Sequence, residues 1–507
     1  MHPMTERALL THLLQMGLSE SVVPSVRRLF LAIQKGHTAL PLSAEDAALW
    51  EASAWHQTSP SELPFVRTGP WLQTARHAAQ ESRVAHALKQ RVSESVQSLP
   101  VLQSLMPHAD ASQQAAIQKA IPQSLALILG GPGSGKTTTA AAIVAGKLQQ
   151  KDWATTPRVA LLAPTGKAAA RLTDAFQKAL TTMAPECRPA LGLKATTVHR
   201  QLDALSDKDL VLIDEASMVS LDLMDRLLQT LNPNADLVMM GDPYQLASVE
   251  AGSILATLAG AHCFDSARSY LTGRHRTGEA AKLNTLLDLC LAGEVSAFFE
   301  AVHELDIPWL RPPAETELES LILKGYQSYF DALKAGNLPD HTEFQCLTSI
   351  SSGSGGRHWV NKLVSQFAHQ LGLKGQGHRL ILTENQPALE VFNGDLAIAL
   401  DPETTANPRL KIIGSDRIVS RHQISRPETA YAISIHRAQG SEYPDVLVCL
   451  PTPTDQSAYQ PTRELLYTAL TRAKRNVSLW GTEQEFTRAL TTPTIRHSAL
   501  GYFLDGQ

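Results

Sequence analysis

The chain has 507 residues, 43% of them hydrophobic and 19% charged, with a formal net charge of −4 at pH 7. That length accommodates about three domains, each large enough to bury a core. No apolar run approaches the ~20 residues of a membrane span, and the charge balance gives no global attraction for a polyanion, so any nucleic acid must be held by a local groove. The start, Met1 to Arg7, mixes charges too early for a secretory signal, which predicts a cytoplasmic protein with no membrane partner. Cys187, Cys263, Cys290, Cys346 and Cys449 include no C-x-x-C pair, which argues against disulfides, structural zinc and iron–sulfur clusters and for buried, inert thiols.

Residues 1 to about 108 read as a separate helical unit, because Leu9, Leu10, Leu13, Leu14, Val22, Val26, Leu29, Phe30 and Ile33 recur at helical spacing. A short hairpin is expected around Leu63 to Leu72, followed by a long helix to about Val96. The basic residues Arg76, Arg83, Lys89 and Arg91 on that helix suit a solvated face better than a nucleic-acid contact. After a polar linker at Pro107 to Ser112, Gln113 precedes an apolar strand that ends in glycines. The run Gly130, Gly131, Pro132, Gly133, Ser134, Gly135, Lys136, Thr137, Thr138 then opens an Ala-rich helix.

This is the G-x-x-x-x-G-K-[ST] loop in its strand-turn-helix setting. Glycines let the backbone approach phosphate oxygens, so that successive N–H groups and the helix N-terminus point at an anion. Lys136 is placed to reach the β/γ-phosphates of ATP and Thr137 to ligate Mg²⁺. A glutamine just ahead of such a loop is a candidate adenine reader, since an amide pairs N6 and N7 together. Further on, four apolar residues end in Asp214 and Glu215, as a buried parallel strand presents acids at its C-terminal edge. Asp214 is expected to hold Mg²⁺ and Glu215 to polarise the attacking water. Strand-then-turn patterns recur at Val159 to Leu172 and Asp236 to Val249, and together they predict a parallel sheet covered on both faces.

From His378 to Pro427 short apolar runs are divided by Asn393-Gly394-Asp395 and Asp401-Pro402. The Asn-Gly step is a hairpin signal, and the region reads as a small β-barrel inserted into a second α/β domain. That second domain resumes at Ala430 and runs through Arg463 to Arg475 without a P-loop of its own, so the nucleotide is expected in a cleft between two lobes.

Taken in order, Gly130 to Thr139, Ala163 to Leu172, Asp214 to Met218, Gly241 to Gly252 and Arg463 to Arg472 resemble the motif set of the superfamily 1 helicases, and within them the RecD family of exodeoxyribonuclease V subunits. The resemblance runs from about Asp110 to the C-terminus, with a weaker likeness at Gly36 to Ser43. It implies an α/β fold with two RecA-like P-loop helicase lobes, a helical N-terminal domain and a small inserted SH3-like β-barrel. The implied domains are 1–108 for partner docking, 109–265 for the first lobe, 266–378 and 428–507 for the second, and 379–427 for the barrel.

The resemblance also assigns roles. Gln113 is the implied adenine contact, Gln245 the γ-phosphate sensor, and Arg276 and Arg472 the arginines contributed by the second lobe. Thr165, Lys167, Thr197 and His199 in the first lobe, with His436, Arg437 and Gln439 in the second, are the implied contacts to single-stranded DNA. The implied activity is 5′-to-3′ translocation driven by ATP and Mg²⁺, in a heterotrimer with RecB-like and RecC-like subunits that acts on DNA ends in break repair and recombination. The chain shows no further acidic cluster suited to a nuclease. Four departures are visible: His275 stands where the family often has Tyr, Arg437-Ala438 where it often has Lys-Ser, the Ala251 to Leu271 segment is short for the family, and Ala397 stands where a glycine is usual. A stand-alone helicase or a nucleotide-binding scaffold without motor activity is the alternative, but scaffolds usually lose catalytic residues and here all are present.

Overall fold

The computed structural model describes residues 10–53, 64–92, 105–150, 157–183, 193–248, 250–273, 281–339, 342–373, 375–402, 404–415, 417–452 and 460–506. Strand Leu125–Gly130 lies within a six-stranded sheet whose order is Thr196–Thr197, Val159–Ala163, Leu210–Ile213, Asp236–Gly241, Leu125–Gly130, Arg268–Leu271. Every neighbouring pair is parallel. Side chains of Leu125, Leu127 and Leu129 enter one core, and those of Ala126 and Ile128 enter another on the opposite face. A strand buried on both faces must be apolar at every position, which is why the sequence shows unbroken runs here instead of alternation.

Helices Ala111–Ala120, Lys136–Gln150 and Gly166–Thr181 cover one face through Ile117, Ile143 and Phe176. The other face is covered by Leu221–Thr230 and Ile254–Gly260, and also by two helices from the chain's extremities. Ala75–Lys89 contributes Val84, Ala85 and Leu88 to this core, and Leu500–Asp505 contributes Leu500 and Leu504. A division at residue 108 therefore cuts through a shared core, and the last residues belong with the first lobe in packing terms. The strand Arg268–Leu271 pairs with Leu127–Gly130, so the first sheet also extends past the expected boundary at 265.

The helix expected from Leu72 starts later because Thr74 caps it, its side chain accepting from His77 N at 3.2 Å. Arg76, Arg83 and Lys89 are exposed, as expected of a solvated face, and each of them, with Arg91 just beyond the helix, also finds a partner. Arg83 pairs with both oxygens of Asp225 at 2.9 and 2.6 Å, and Arg76 pairs with Asp222 at 2.5 Å. Arg91 donates to Ala235 O and Asn232 O, and Lys89 to Phe503 O and Leu504 O. These residues join the helix to the first lobe and to the chain's end.

The N-terminal unit carries its own core, including Leu13, Val26, Leu29, Trp50, Phe65 and Leu72. It is not purely helical: Leu40–Pro41, Trp71–Thr74 and Phe65–Thr68 form an antiparallel sheet, and the last two strands are the expected hairpin.

A second parallel sheet is ordered Trp309–Leu310, Ala473–Gly481, Tyr443–Leu450, Phe344–Thr348, Ala432–Ser434. Between its last two strands in that order, the chain leaves to build a five-stranded antiparallel sheet, Ile418–Ser420, Arg409–Ile412, Leu396–Ala399, Arg379–Ile381, Glu428–Thr429, over a core of Leu382, Val391, Ala397, Leu410 and Ile412. Asn393-Gly394 is not a two-residue hairpin. It ends a longer loop that contains the turn Pro387–Leu389, with Gly394 at φ 91° and Gly394 N donating to Leu382 O. Ala397 lies mid-strand and fully buried, paired with Leu380 and Ile412, so no turn needs a glycine there.

The chain's end crosses back over the N-terminal unit. Thr38 N and Ala39 N donate to His497 O, and Arg496 donates to Gly36 O and Glu250 O. Glu81, buried in this junction, accepts from Thr38 Oγ1 at 2.5 Å, Gln73 Nε2 at 2.7 Å, Ser498 Oγ at 2.6 Å and Ala499 N at 3.1 Å. Burial raises its pKa above the ordinary glutamate value, opposed by those four donors. Glu81→Leu should leave four buried donors without an acceptor and destabilise the fold by about 2–4 kcal/mol. Limited trypsin digestion should then cut at Arg496, a site protected in the wild type. Because the folded pKa is raised, the contribution of Glu81 is full below the ordinary glutamate pKa and declines as pH rises through the raised value, so the gap between wild type and variant should narrow toward high pH.

Candidate active site

Parallel strands ending at one edge bring their following turns together. Gly130, Ala163, Ile213 and Gly241 close four adjacent strands, and the sequence motifs follow directly after them. The residues Pro132 to Thr138, Arg171, Asp214, Glu215, Asp242 and Gln245 from the first lobe, with Gly440, Glu442 and Arg472 from the second, line a cavity of about 320 Å³. The expected cleft between lobes is this cavity.

Gly133 and Gly135 adopt φ of 75° and 79°, backbone that a Cβ would strain. The Lys136 ammonium donates to Gly130 O at 2.7 Å and Gly131 O at 2.9 Å, so it lies across the loop it belongs to. Ser134 Oγ donates to Gly131 O at 2.9 Å. Glu215 is a non-glycine residue in the left-handed region, φ 51°, and its N–H donates to Asp214 Oδ1 at 2.8 Å. Strain at such a position is characteristic of functional turns. Burial, and then the neighbouring Glu215 carboxylate, push Asp214 up, while Lys136 pulls it down.

Gln113 lies beneath the loop and does not line the cavity. Its Oε1 accepts from Asp110 N at 3.0 Å, completing a capping box, and its Nε2 donates to Ser134 O at 3.3 Å. The side chain expected to read adenine therefore braces the P-loop in this structure. Arg472 does reach the cavity. It is almost fully buried, with Nε on Thr468 O at 3.0 Å, Nη1 on Ser441 O at 3.1 Å and Nη2 on Thr471 Oγ1 at 3.0 Å. Arg276 lies outside the described residues, as does Cys187.

The residues expected to grip DNA divide into two groups. Lys167 and Thr197 are half-buried, and His199 and His436 are exposed. Thr165 caps the helix Gly166–Thr181, accepting from Ala168 N at 3.2 Å. Arg437 is engaged by Glu428 at 2.7 and 3.3 Å, and Gln439 Nε2 donates across the lobes to Leu246 O at 2.8 Å. The turn that carries His436 to Gln439 abuts the first lobe: Arg171 donates to Gly440 O and pairs with Glu442 at 3.0 Å. The insert also touches the first lobe, with Phe392 filling the space beside Gly166 and Arg200 lying 5.9 Å from the centre of its ring.

Sequence reasoning missed Arg171, Asp242, Glu442, Tyr467 and Thr468. Arg171, Asp242, Tyr467 and Thr468 lie inside the motif stretches that carried the family resemblance, and none of the five had a local pattern that assigned it a partner.

A P-loop sheet, an acid pair after the inner strand Leu210–Ile213, and a second parallel sheet that closes the cavity with an arginine define the class as two-lobed P-loop helicases. Residues 108–306 match the AAA domain model, and residues 429–480 match the UvrD-like helicase C-terminal domain. The RecBCD enzyme subunit RecD of Mycolicibacterium smegmatis is 35% identical over 426 residues, covering 76% of this chain and 74% of that one. RecD of Mycobacterium tuberculosis is 33% identical over 432 residues, 79% of this chain and 74% of that one. The ATP-dependent RecD2 DNA helicase of Deinococcus radiodurans is 29% identical, covering 71% of this chain and 47% of the longer relative. The chain belongs to the RecD family.

Lys136 touches only loop carbonyls and supports no core, so Lys136→Ala should abolish nucleotide binding while shifting unfolding free energy by less than about 1 kcal/mol. Fluorescent-nucleotide titration and a thermal melt on the same sample check both halves.

Proposed function

We propose that the chain is an ATP-driven DNA helicase of superfamily 1 that moves 5′ to 3′ on single-stranded DNA as the RecD subunit of a RecBCD-type helicase–nuclease. In this reading it docks to RecB-like and RecC-like subunits, enters from ends of double-stranded DNA and serves break repair and recombination. The observation that carries it is the shared cavity, where Lys136, Asp214, Glu215 and Gln245 of one lobe meet Arg472 of the other.

The residues divide the work. P-loop N–H groups and Lys136 bind the phosphates, Glu215 orients the attacking water, Gln245 senses the γ-phosphate, and Arg472 stabilises charge that spreads over the transferring phosphoryl oxygens. Thr137 and the buried Asp214 both line the cavity and suit a hard divalent cation; Mg²⁺ held there would offset phosphate charge. Arg276 would complete the set from the second lobe. Gln113 would meet adenine only by exchanging its capping bond for the base.

On the nucleic-acid side, Thr165, Lys167, Thr197, His199, His436 and Arg437 would grip phosphates without reading bases. The five-stranded insert serves as the SH3-like barrel of the family, and the two parallel sheets serve as its RecA-like lobes. Leu14, Met16, Leu31 and Leu49, exposed apolar side chains of the N-terminal unit, support its assignment as the surface that docks to a partner subunit.

The reading is tested by ATP hydrolysis with and without single-stranded DNA and by unwinding of duplexes with a 5′ or a 3′ tail. Hydrolysis should require DNA, and the 5′-tailed duplex should unwind. Arg472→Ala should retain ATP binding and lose about 10³-fold in kcat. Hydrolysis indifferent to DNA points to the scaffold alternative, and unwinding of only the 3′-tailed duplex reverses the polarity.

A further inference from the structure

The turn that carries Gln245 is held by the other lobe as well as by its own, where Tyr244 N donates to Asp242 Oδ1 at 3.0 Å. Helix Arg463–Thr471 of the second lobe presents Tyr467 and Thr468 to the first-lobe turn Asp242–Leu246. Tyr467 Oη donates to Asp242 Oδ2 at 2.9 Å, and the same oxygen accepts from Gln245 Nε2 at 3.2 Å. Thr468 Oγ1 accepts from Leu246 N at 2.9 Å, and Gln439 Nε2 donates to Leu246 O at 2.8 Å. Asp242, Tyr467 and Thr468 are all buried, so water cannot substitute for a lost partner. Tyr467 does not itself line the cavity, but a Cβ on Gly131 of the P-loop would lie 3.2 Å from its hydroxyl.

An amide has two distinct ends. With one Nε2 hydrogen engaged by Asp242, Oε1 of Gln245 is left to accept from a water, and the second Nε2 hydrogen to donate to phosphate, across the cavity that Gln245 lines. The orientation of Gln245 thus depends on Asp242, whose Oδ2 is fixed by a donor from the opposite lobe. Arg472 is carried at the end of the same helix, with its Nε on Thr468 O. Movement of that helix shifts the arginine and the donor to Asp242 together.

Resting on the motor reading above, we infer that Tyr467 is a positioning residue for hydrolysis: through Asp242 its hydroxyl sets Gln245, so that the sensor is ordered only when the second lobe is docked. Tyr467→Phe removes one oxygen and keeps the ring's packing. Steady-state hydrolysis by the full chain at saturating single-stranded DNA tests this with Tyr467→Phe, Asp242→Asn and the double variant, alongside thermal melts.

Each single variant should lower kcat about tenfold with KM for ATP within about twofold of wild type, and the double variant should be no slower than the slower single. A Tyr467→Phe protein that melts earlier yet keeps kcat within about twofold has lost only a structural contact, and that overturns the inference. Additive losses in the double variant, or a change confined to KM, overturn it as well. Wild-type protein without DNA-stimulated hydrolysis would remove the motor reading itself; an active wild type with an unimpaired Tyr467→Phe removes only the role of Tyr467.

Discussion

The constraint on which the rest depends is that the four inner strands of the first sheet are buried almost throughout and run parallel. Such strands are apolar along nearly all their length, so functional groups are placed where the ladder ends. Gly130, Ile213 and Gly241 end at the same edge, and this edge alone gathers the loop, the acid pair and the sensor turn into one cavity. The second sheet is also parallel, and Gly440, Glu442 and Arg472, which precede its strands Tyr443–Leu450 and Ala473–Gly481, face the first. Neither lobe lines the cavity alone.

That division makes the lobe interface part of the cavity. The bonds across it, Arg171 to Gly440 and Glu442, Tyr467 to Asp242, Thr468 to Leu246 and Gln439 to Leu246, attach to backbone and side chains at or next to residues that line it. A shift of one lobe is transmitted to turns that bear Gln245 and Arg472 without any intermediate structure. Gln439 shows the consequence clearly, since a residue expected on the DNA face donates to Leu246 O in the turn that carries Gln245.

The two extremities of the chain solve a different problem. One face of the first sheet would be open beside Leu221–Thr230 if the body of the lobe stood alone, and Ala75–Lys89 with Leu500–Asp505 cover it. Their placement is fixed by charge as well as apolar area: Arg83 meets Asp225 and Arg76 meets Asp222, while the buried Glu81 carboxylate gathers donors from the N-terminal unit and from the chain's end. A buried carboxylate is costly unless fully hydrogen-bonded, and four donors offset that cost only when both extremities are in place. The N-terminal unit is thereby tied to the motor, and its Leu14, Met16, Leu31 and Leu49 are exposed.

What the sequence by itself determined are the features whose physics is contiguous. A phosphate loop must be a strand, glycines, a lysine and a helix in unbroken order, so Gly130 to Thr138 were legible as such, as were the acid pair at Asp214 and Glu215 and the unbroken apolar runs of the parallel sheets. The hairpin ending at Thr74 was equally local. What only the tertiary structure decided are pairings between distant residues: Tyr467 meets Asp242 across 225 positions, and Ser498 meets Glu81 across 417. Nothing near Arg83 announces Asp225, and nothing near Gln113 shows that its amide will brace Ser134. Helical periodicity states that a face is apolar or charged but not what meets it, which is why the partners of Arg76 and Arg83 were not legible and the domain boundary was drawn through a shared core. Specific hydrogen bonds in a buried site depend on which surfaces meet, and that is a property of the folded chain alone.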